Sequence, residues 1–75
     1  MTSYKNLAGN IGVCSYENGA DSFRVKFHTQ KTYIYDHKNT GAEHVNQMKE
    51  LAVKGFGLND YINDVVKDQY AFALD

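Results

Sequence analysis

Residues 22–28 alternate between apolar and polar side chains, and this pattern constrains the fold more than any other feature of the sequence. Successive side chains of a β-strand point to opposite faces, so the alternation predicts a strand with one apolar and one basic face. The apolar positions are Phe23, Val25 and Phe27, and the basic face carries Arg24, Lys26 and His28.

Two further strands are predicted on either side of this run. Ile11 and Val13 begin a shorter alternation, and Asn18 with Gly19 supplies the turn chemistry that closes a hairpin. Residues 31–36 are rich in β-branched and aromatic side chains, which favours a third strand. Short turns between the three strands indicate an antiparallel meander.

Two helices are predicted to follow the meander. Thr40 and Glu43 have the spacing of a capping box, and an apolar stripe continues from there until Gly55 and Gly57. The stripe consists of Val45, Met48, Leu51 and Ala52. We expect Phe56 to be buried in the turn after this helix.

The second helix is predicted to begin at a cap formed by Asn59 or Asp60. Its apolar stripe consists of Ile62, Val65 and Val66. Residues 70–74 alternate large and small side chains, which fits either an edge strand or a packed extension.

These elements predict an α+β fold: a three-stranded antiparallel β-meander packed on one face by two helices, in the order β-β-β-α-α. The length of 75 residues supports a single domain. We expect residues 1–10 to form an N-terminal arm and residues 11–75 to form the domain.

Charge and cysteine content limit the classes of function. Residues 1–38 hold five basic and three acidic side chains, whereas residues 39–75 hold three basic and six acidic ones, giving a net charge of −1. Proteins that depend on phosphate contacts usually carry a strong basic excess. With one cysteine and no long apolar segment, we expect a reduced, cytoplasmic protein that does not enter membranes.

No arrangement of residues predicts catalysis, a metal site or a cofactor. Cys14 lies in a strand pattern, where a small buried side chain is the simpler interpretation. His37 and His44 do not have the spacing of a zinc-ligand motif. The sequence therefore predicts a protein that is not an enzyme.

Two surfaces are candidates for binding a partner. Arg24 and Lys26 share a strand face that tyrosines of neighbouring strands, Tyr16, Tyr33 and Tyr35, can join. Rings and cations together are typical of protein hot spots and of single-stranded nucleic-acid sites. In the alternative arrangement, Tyr33 and Tyr35 pack under the helices while Thr32 and Ile34 face outward.

The second candidate surface is the acidic side of the second helix. Its carboxylates are Asp60, Asp64 and Asp68. Exposed carboxylates of this kind can imitate nucleic-acid phosphates in an inhibitor, although three are few for a full mimic.

Several short motifs resemble the KTSC domain, a small domain named for its position at the C-terminus of some lysyl-tRNA synthetases. It also occurs as stand-alone bacterial and phage proteins. The similar positions are Asn10, Ile11, residues 23–27, the Tyr33-x-Tyr35 element, Lys54, Gly55, Phe56, Asn59 and Ile62. Two features depart from the family pattern: the chain has no proline, and Asn63 stands where the family has arginine.

The resemblance implies a binding role without a defined reaction. Together with the two surfaces, it predicts a small non-catalytic module that acts by protein–protein interaction. One concrete form is a phage-type inhibitor of a host enzyme or defence complex. The expected partner is a larger protein; the alternative is an RNA- or DNA-associated module using the tyrosine and basic sheet face. A homodimer through an open sheet edge is a further alternative.

Overall fold

The computed structural model describes residues 1–9, 12–67 and 69–74. The strands are β1 (Thr2–Ser3), β2 (Val13–Asn18), β3 (Ser22–Phe27), β4 (Thr32–Asp36) and β5 (Phe72–Leu74). The helices are α1 (Ala42–Lys54) and α2 (Leu58–Tyr61), and α2 continues directly into a π-helical turn (Ile62–Val66). No helix in the described ranges is long and apolar enough to cross a membrane.

The α+β class, the antiparallel sheet and the two helices are confirmed, but the sheet has five strands instead of the predicted three. Its order is β1-β2-β3-β4-β5, and every neighbouring pair is antiparallel. The predicted meander forms the centre, and β1 and β5 add one edge each. At two residues, β1 is too short to show an alternation, and the alternation around β5 fits a packed extension as well as a strand. Of the two alternatives for residues 70–74, the edge strand is the one found.

The segment before β2 is tied to the rest of the molecule. Tyr4 is buried, and its hydroxyl oxygen accepts a hydrogen bond from the backbone N–H of Leu58 at 3.2 Å. The backbone N–H of Leu7 donates to the carbonyl oxygen of Gly55 at 2.8 Å. The predicted boundary between arm and domain falls on Asn10 and Ile11, which lie outside the described residues.

The helices cover the face of the sheet to which Phe23 and Val25 point. Both side chains are fully buried in a core that includes Val45, Met48 and Ala52 of α1. The register of β2 against β3 shifts between Val13 and Ser15, which is the signature of a β-bulge. Cys14 lies at this bulge and is exposed, so its predicted burial is wrong.

Helix α1 buries Val45, Met48 and Ala52 of the predicted stripe and leaves Leu51 half-buried, but it begins without the predicted capping box. Its N-cap is Gly41, with φ 99° and no side-chain capping hydrogen bond. The Thr40 hydroxyl donates instead to the carbonyl oxygen of Gln69, on the segment that leads to β5. At the other end Gly55, with φ 80°, closes the helix by donating its N–H to Leu51.

The second helix begins earlier than predicted, and its N-cap is Gly57. Ile62 and Val66 are buried as predicted, whereas Val65 is partly exposed. Phe56 is 53 % exposed, so the prediction that this turn buries its aromatic side chain is wrong.

Candidate functional site

The two faces of the sheet carry different chemistry, and the strand register assigns each residue to a face. Direct cross-strand pairs point to the same side of a sheet. One row along the outer face consists of Glu17, Arg24, Ile34 and Phe72, and the next consists of Ser15, Lys26, Thr32 and Leu74. No helix of the described residues covers this face, since the helical core residues pack against the opposite one.

The tyrosines predicted for the basic face lie on the inner face. Tyr16 and Tyr33 both pair with Val25, and Tyr35 pairs with Phe23. Tyr35 is only 1 % exposed, and the Tyr16 ring stacks on Phe23 with a centroid separation of 6.0 Å. The arrangement found is therefore the alternative in which Thr32 and Ile34 face outward.

Arg24 and Lys26 remain on the outer face without the tyrosines. The Arg24 guanidinium lies 3.8 Å from the Glu17 carboxylate, and both side chains are about half exposed. A pair with this separation and exposure contributes little to stability. The Arg24 guanidinium therefore stays accessible to solvent.

Apolar side chains complete the outer face beside these cations. Phe72 is 63 % exposed and Leu74 is 47 % exposed, and the half-buried Ile34 lies directly opposite Phe72. We call the surface formed by Arg24, Lys26, Ile34, Phe72 and Leu74 the open sheet face. The sequence does not predict its apolar part directly, although the large side chains at alternate positions in residues 70–74 are a signal for it.

The acidic candidate surface is only partly described. Asp60 lies in the first turn of α2 and Asp64 in the π-helical turn, and both are exposed. Asp68 lies outside the described residues. The structure does not bring either described carboxylate together with the open sheet face, since the two surfaces belong to opposite sides of the core.

A groove opens at the end of the β3–β4 hairpin, where the sheet meets the π-helical turn. It has a volume of about 680 Å³, within the range of small-molecule sites. Its floor is formed by Phe27, Tyr33, Tyr35, Ile62 and Tyr70, and its polar rim by His28, Thr29, Asn63 and Lys67, with Gly12 at one side. The sequence does not predict this site, because its walls come from segments far apart in the chain.

Aromatic contacts organise the floor of the groove. The Tyr33 and Tyr70 rings lie 4.7 Å apart and are tilted by 43°, and Phe27 meets Tyr33 edge to face at 5.4 Å. Tyr70 also contacts Tyr35 edge to face at 6.2 Å. Mutual packing holds these half-buried rings in place, so the groove presents a preformed aromatic surface.

The rim includes a residue with an unusual backbone conformation. Lys67 has φ 46° and ψ −111°, a combination of backbone angles that residues other than glycine rarely adopt. Such a conformation costs about 1–3 kcal/mol, which the surrounding contacts must offset. Two contacts do so: the Lys67 N–H donates to the Ile62 carbonyl at 2.6 Å, and the Tyr35 hydroxyl donates to the Lys67 carbonyl at 3.2 Å.

Within the described residues, no group of three or more His, Cys, Asp or Glu side chains is placed to hold a metal ion. No family model matches the chain, and neither the curated proteins nor the solved structures include a significant match.

Proposed function

We propose that this protein is a small non-catalytic binding module that acts by protein–protein interaction through the open sheet face. The observation that carries the proposal is the exposure of Phe72 and Leu74 beside Ile34 on a sheet face that no helix of the described residues covers. In a chain with so small a core, two large apolar side chains left in solvent next to each other favour a contact surface.

The chemistry of the face defines the partner. Burial of a Phe or Leu side chain contributes roughly 1.5–3 kcal/mol, so Phe72 and Leu74 give the contact an apolar centre. Arg24 and Lys26 form a cationic margin on β3, which β4 separates from the strand of Phe72 and Leu74. The matching surface is therefore a protein with exposed apolar side chains bordered by carboxylates.

The size of the face indicates a modest affinity. The three central strands have five or six residues and the edge strands two or three, so five strands about 4.8 Å apart cover at most roughly 19 by 20 Å. This flat area is well below the about 800 Å² per partner of a standard stable interface. We expect a transient complex with a larger protein, or one that extends past the edge of β5.

The alternative of an RNA- or DNA-associated module is weaker for this face. Its stacking rings, Tyr33 and Tyr35, point to the opposite side of the sheet, and Glu17 partly neutralises Arg24. A single-stranded site needs both rings and unpaired cations along one surface. We therefore propose a protein partner for the open sheet face.

The short motifs that resemble the KTSC domain also support a binding role. The resemblance rests on these motifs alone. On that basis we propose a KTSC-like protein of the cytoplasm, with a phage-type inhibitor of a host enzyme or defence complex as the concrete form. The exposed Asp60 and Asp64 offer a second contact surface for such an inhibitor.

Affinity capture from the cell that produces the protein, followed by calorimetry with the purified partner, tests the proposal. Phe72→Ser combined with Arg24→Glu should abolish binding. Phe56→Ser is the matched control, because Phe56 has a similar exposure but lies in the turn between the helices. It should bind like the wild-type chain.

Two results would contradict the assignment. If the Phe72→Ser and Arg24→Glu variant binds as tightly as Phe56→Ser, the open sheet face is not the contact. If Asp60→Lys with Asp64→Lys abolishes binding instead, the acidic surface is the interface. Size-exclusion chromatography of the wild-type chain separates both cases from a homodimer.

A further inference from the structure

The groove between the β3–β4 hairpin and the π-helical turn has no role in the proposed protein contact. We propose that it binds a nucleotide: an unstacked nucleobase lies against Tyr33 and Tyr70, and the phosphate lies at Lys67. Both a free mononucleotide and a nucleotide within a single strand supply this chemistry.

The floor of the groove fits a flat aromatic ligand. Tyr33 and Tyr70 are half-buried, so each ring keeps part of its surface open to the groove. The contacts with Phe27 and Tyr35 fix their orientation before any ligand arrives. Rigid aromatic side chains stack on nucleobases with little loss of conformational entropy, and they accept any base because every base has a π-face.

The rim fits the rest of a nucleotide. Lys67 supplies a cation, and the described lining contains no Asp or Glu, although the chain as a whole has a net charge of −1. Asn63 and His28 carry the donors and acceptors that the edge of a base requires.

The backbone at the rim is an independent sign of a functional site. π-Helical turns and strained residues concentrate at ligand sites, and here both occur in succession at Ile62–Val66 and Lys67. The two hydrogen bonds that hold Lys67, from its N–H and to its carbonyl oxygen, keep this residue at the groove.

Nuclear magnetic resonance titration of the ¹⁵N-labelled chain tests the proposal directly. AMP should shift the amide signals of His28, Asn63, Lys67 and Tyr70 and should saturate at millimolar or lower concentration. Ribose 5-phosphate, which lacks the base, should bind at least about five-fold more weakly, because base stacking is lost.

Matched variants separate the two parts of the ligand. Lys67→Gln should weaken AMP binding about five-fold, whereas Lys54→Gln, which removes another exposed lysine at the end of α1, should not change it. Tyr70→Leu should weaken binding at least about five-fold, and Tyr70→Phe should preserve it because the ring remains.

A short oligoadenylate distinguishes the two sources of the nucleotide. Binding much tighter than that of AMP identifies a single strand, and equal binding identifies a free nucleotide; either result supports the groove. The proposal is overturned if AMP leaves the groove signals unchanged or if ribose 5-phosphate binds as well as AMP. It is also overturned if Lys67→Gln, an exposed change that leaves the core intact, binds like the wild-type chain.

Discussion

The inner and outer faces of the sheet use the same strands for opposite purposes. On β3, Phe23 and Val25 are completely buried, whereas their neighbour Arg24 faces solvent. A shift of one residue along the strand therefore decides whether a side chain is buried in the core or faces solvent. The comparison shows that substitutions on the two faces should have separable effects.

The inner face also shows how a small chain completes its core. Tyr4, Tyr16 and Tyr35 are buried alongside aliphatic side chains. A buried phenol hydroxyl needs a hydrogen-bond partner, and backbone groups of Leu58 and Lys67 serve Tyr4 and Tyr35. Polar side chains on the outer face can form hydrogen bonds with water instead, so substitutions there should be tolerated more easily.

Phenylalanine to alanine changes on the two faces give the largest contrast. Phe23→Ala should lower the free energy of unfolding by about 3–5 kcal/mol, because it leaves a cavity in the core. Phe72→Ala should change it by less than about 0.5 kcal/mol. Urea denaturation measures both, and Phe23→Leu provides a milder variant if Phe23→Ala does not fold. Equal losses for Phe23→Ala and Phe72→Ala would refute the assignment of faces.

Exchange of valine and threonine tests the faces without a change of volume. Val25→Thr should lower the free energy of unfolding by about 1–3 kcal/mol, because it buries a hydroxyl among apolar side chains. Thr32→Val on the outer face should alter it by less than about 0.5 kcal/mol. Thermal denaturation of the two variants at one pH compares them, and a tolerated Val25→Thr would mean that Val25 is hydrated.

Loss of one phenol hydroxyl sharpens the comparison within the inner face. Tyr35→Phe should lower the free energy of unfolding by about 0.5–1.5 kcal/mol, since the hydrogen bond to the Lys67 carbonyl disappears. Tyr33→Phe is the matched control, because the Tyr33 hydroxyl makes no hydrogen bond within the described part of the chain. If both variants unfold at the same urea concentration, the Tyr35 contact contributes nothing.

The smallest effect is expected from a carboxylate at the end of β4. Hydrogen bonds from the backbone and side-chain N–H groups of Asn39 hold the pKa of Asp36 below its usual value of 3.8. The unfolded chain therefore binds this proton first as the pH falls, so the stabilisation is present above about pH 4 and is lost below it.

Denaturation midpoints between neutral pH and about pH 2 measure this contribution. Asp36→Ala should reduce the loss of stability on acidification, whereas Asp64→Ala, an exposed carboxylate of the π-helical turn, serves as the control. A pH profile for Asp36→Ala that matches the wild-type profile would show that the Asn39 hydrogen bonds do not persist in solution.

The central strands and α1 could be predicted because their patterns are long. The alternation of residues 22–28 identifies the buried side chains of β3 by itself. The orientation of β4 could not be predicted in the same way, since Tyr33, Ile34 and Tyr35 are all large and partly apolar. Only the pairing of Tyr35 with Phe23 assigns them to faces, and pairing is a tertiary property.

Contacts between distant segments explain the remaining differences. Thr40 has the local spacing of a cap, but its hydroxyl finds a carbonyl 29 residues away. The groove likewise combines Tyr33 with Tyr70, and no local pattern joins them. For the open sheet face, the alternation in residues 70–74 was visible, but its orientation depended on the register with β4.

The strand order also determines how long a linker a circular permutant of this chain would need. β1 and β5 form opposite edges of the sheet, so they lie about 19 Å apart across four strand spacings. A linker that joins β1 to β5 would therefore need at least about six extended residues. With such a linker, new termini at the exposed Asn18 to Asp21 turn would create a circular permutant that keeps both faces of the sheet.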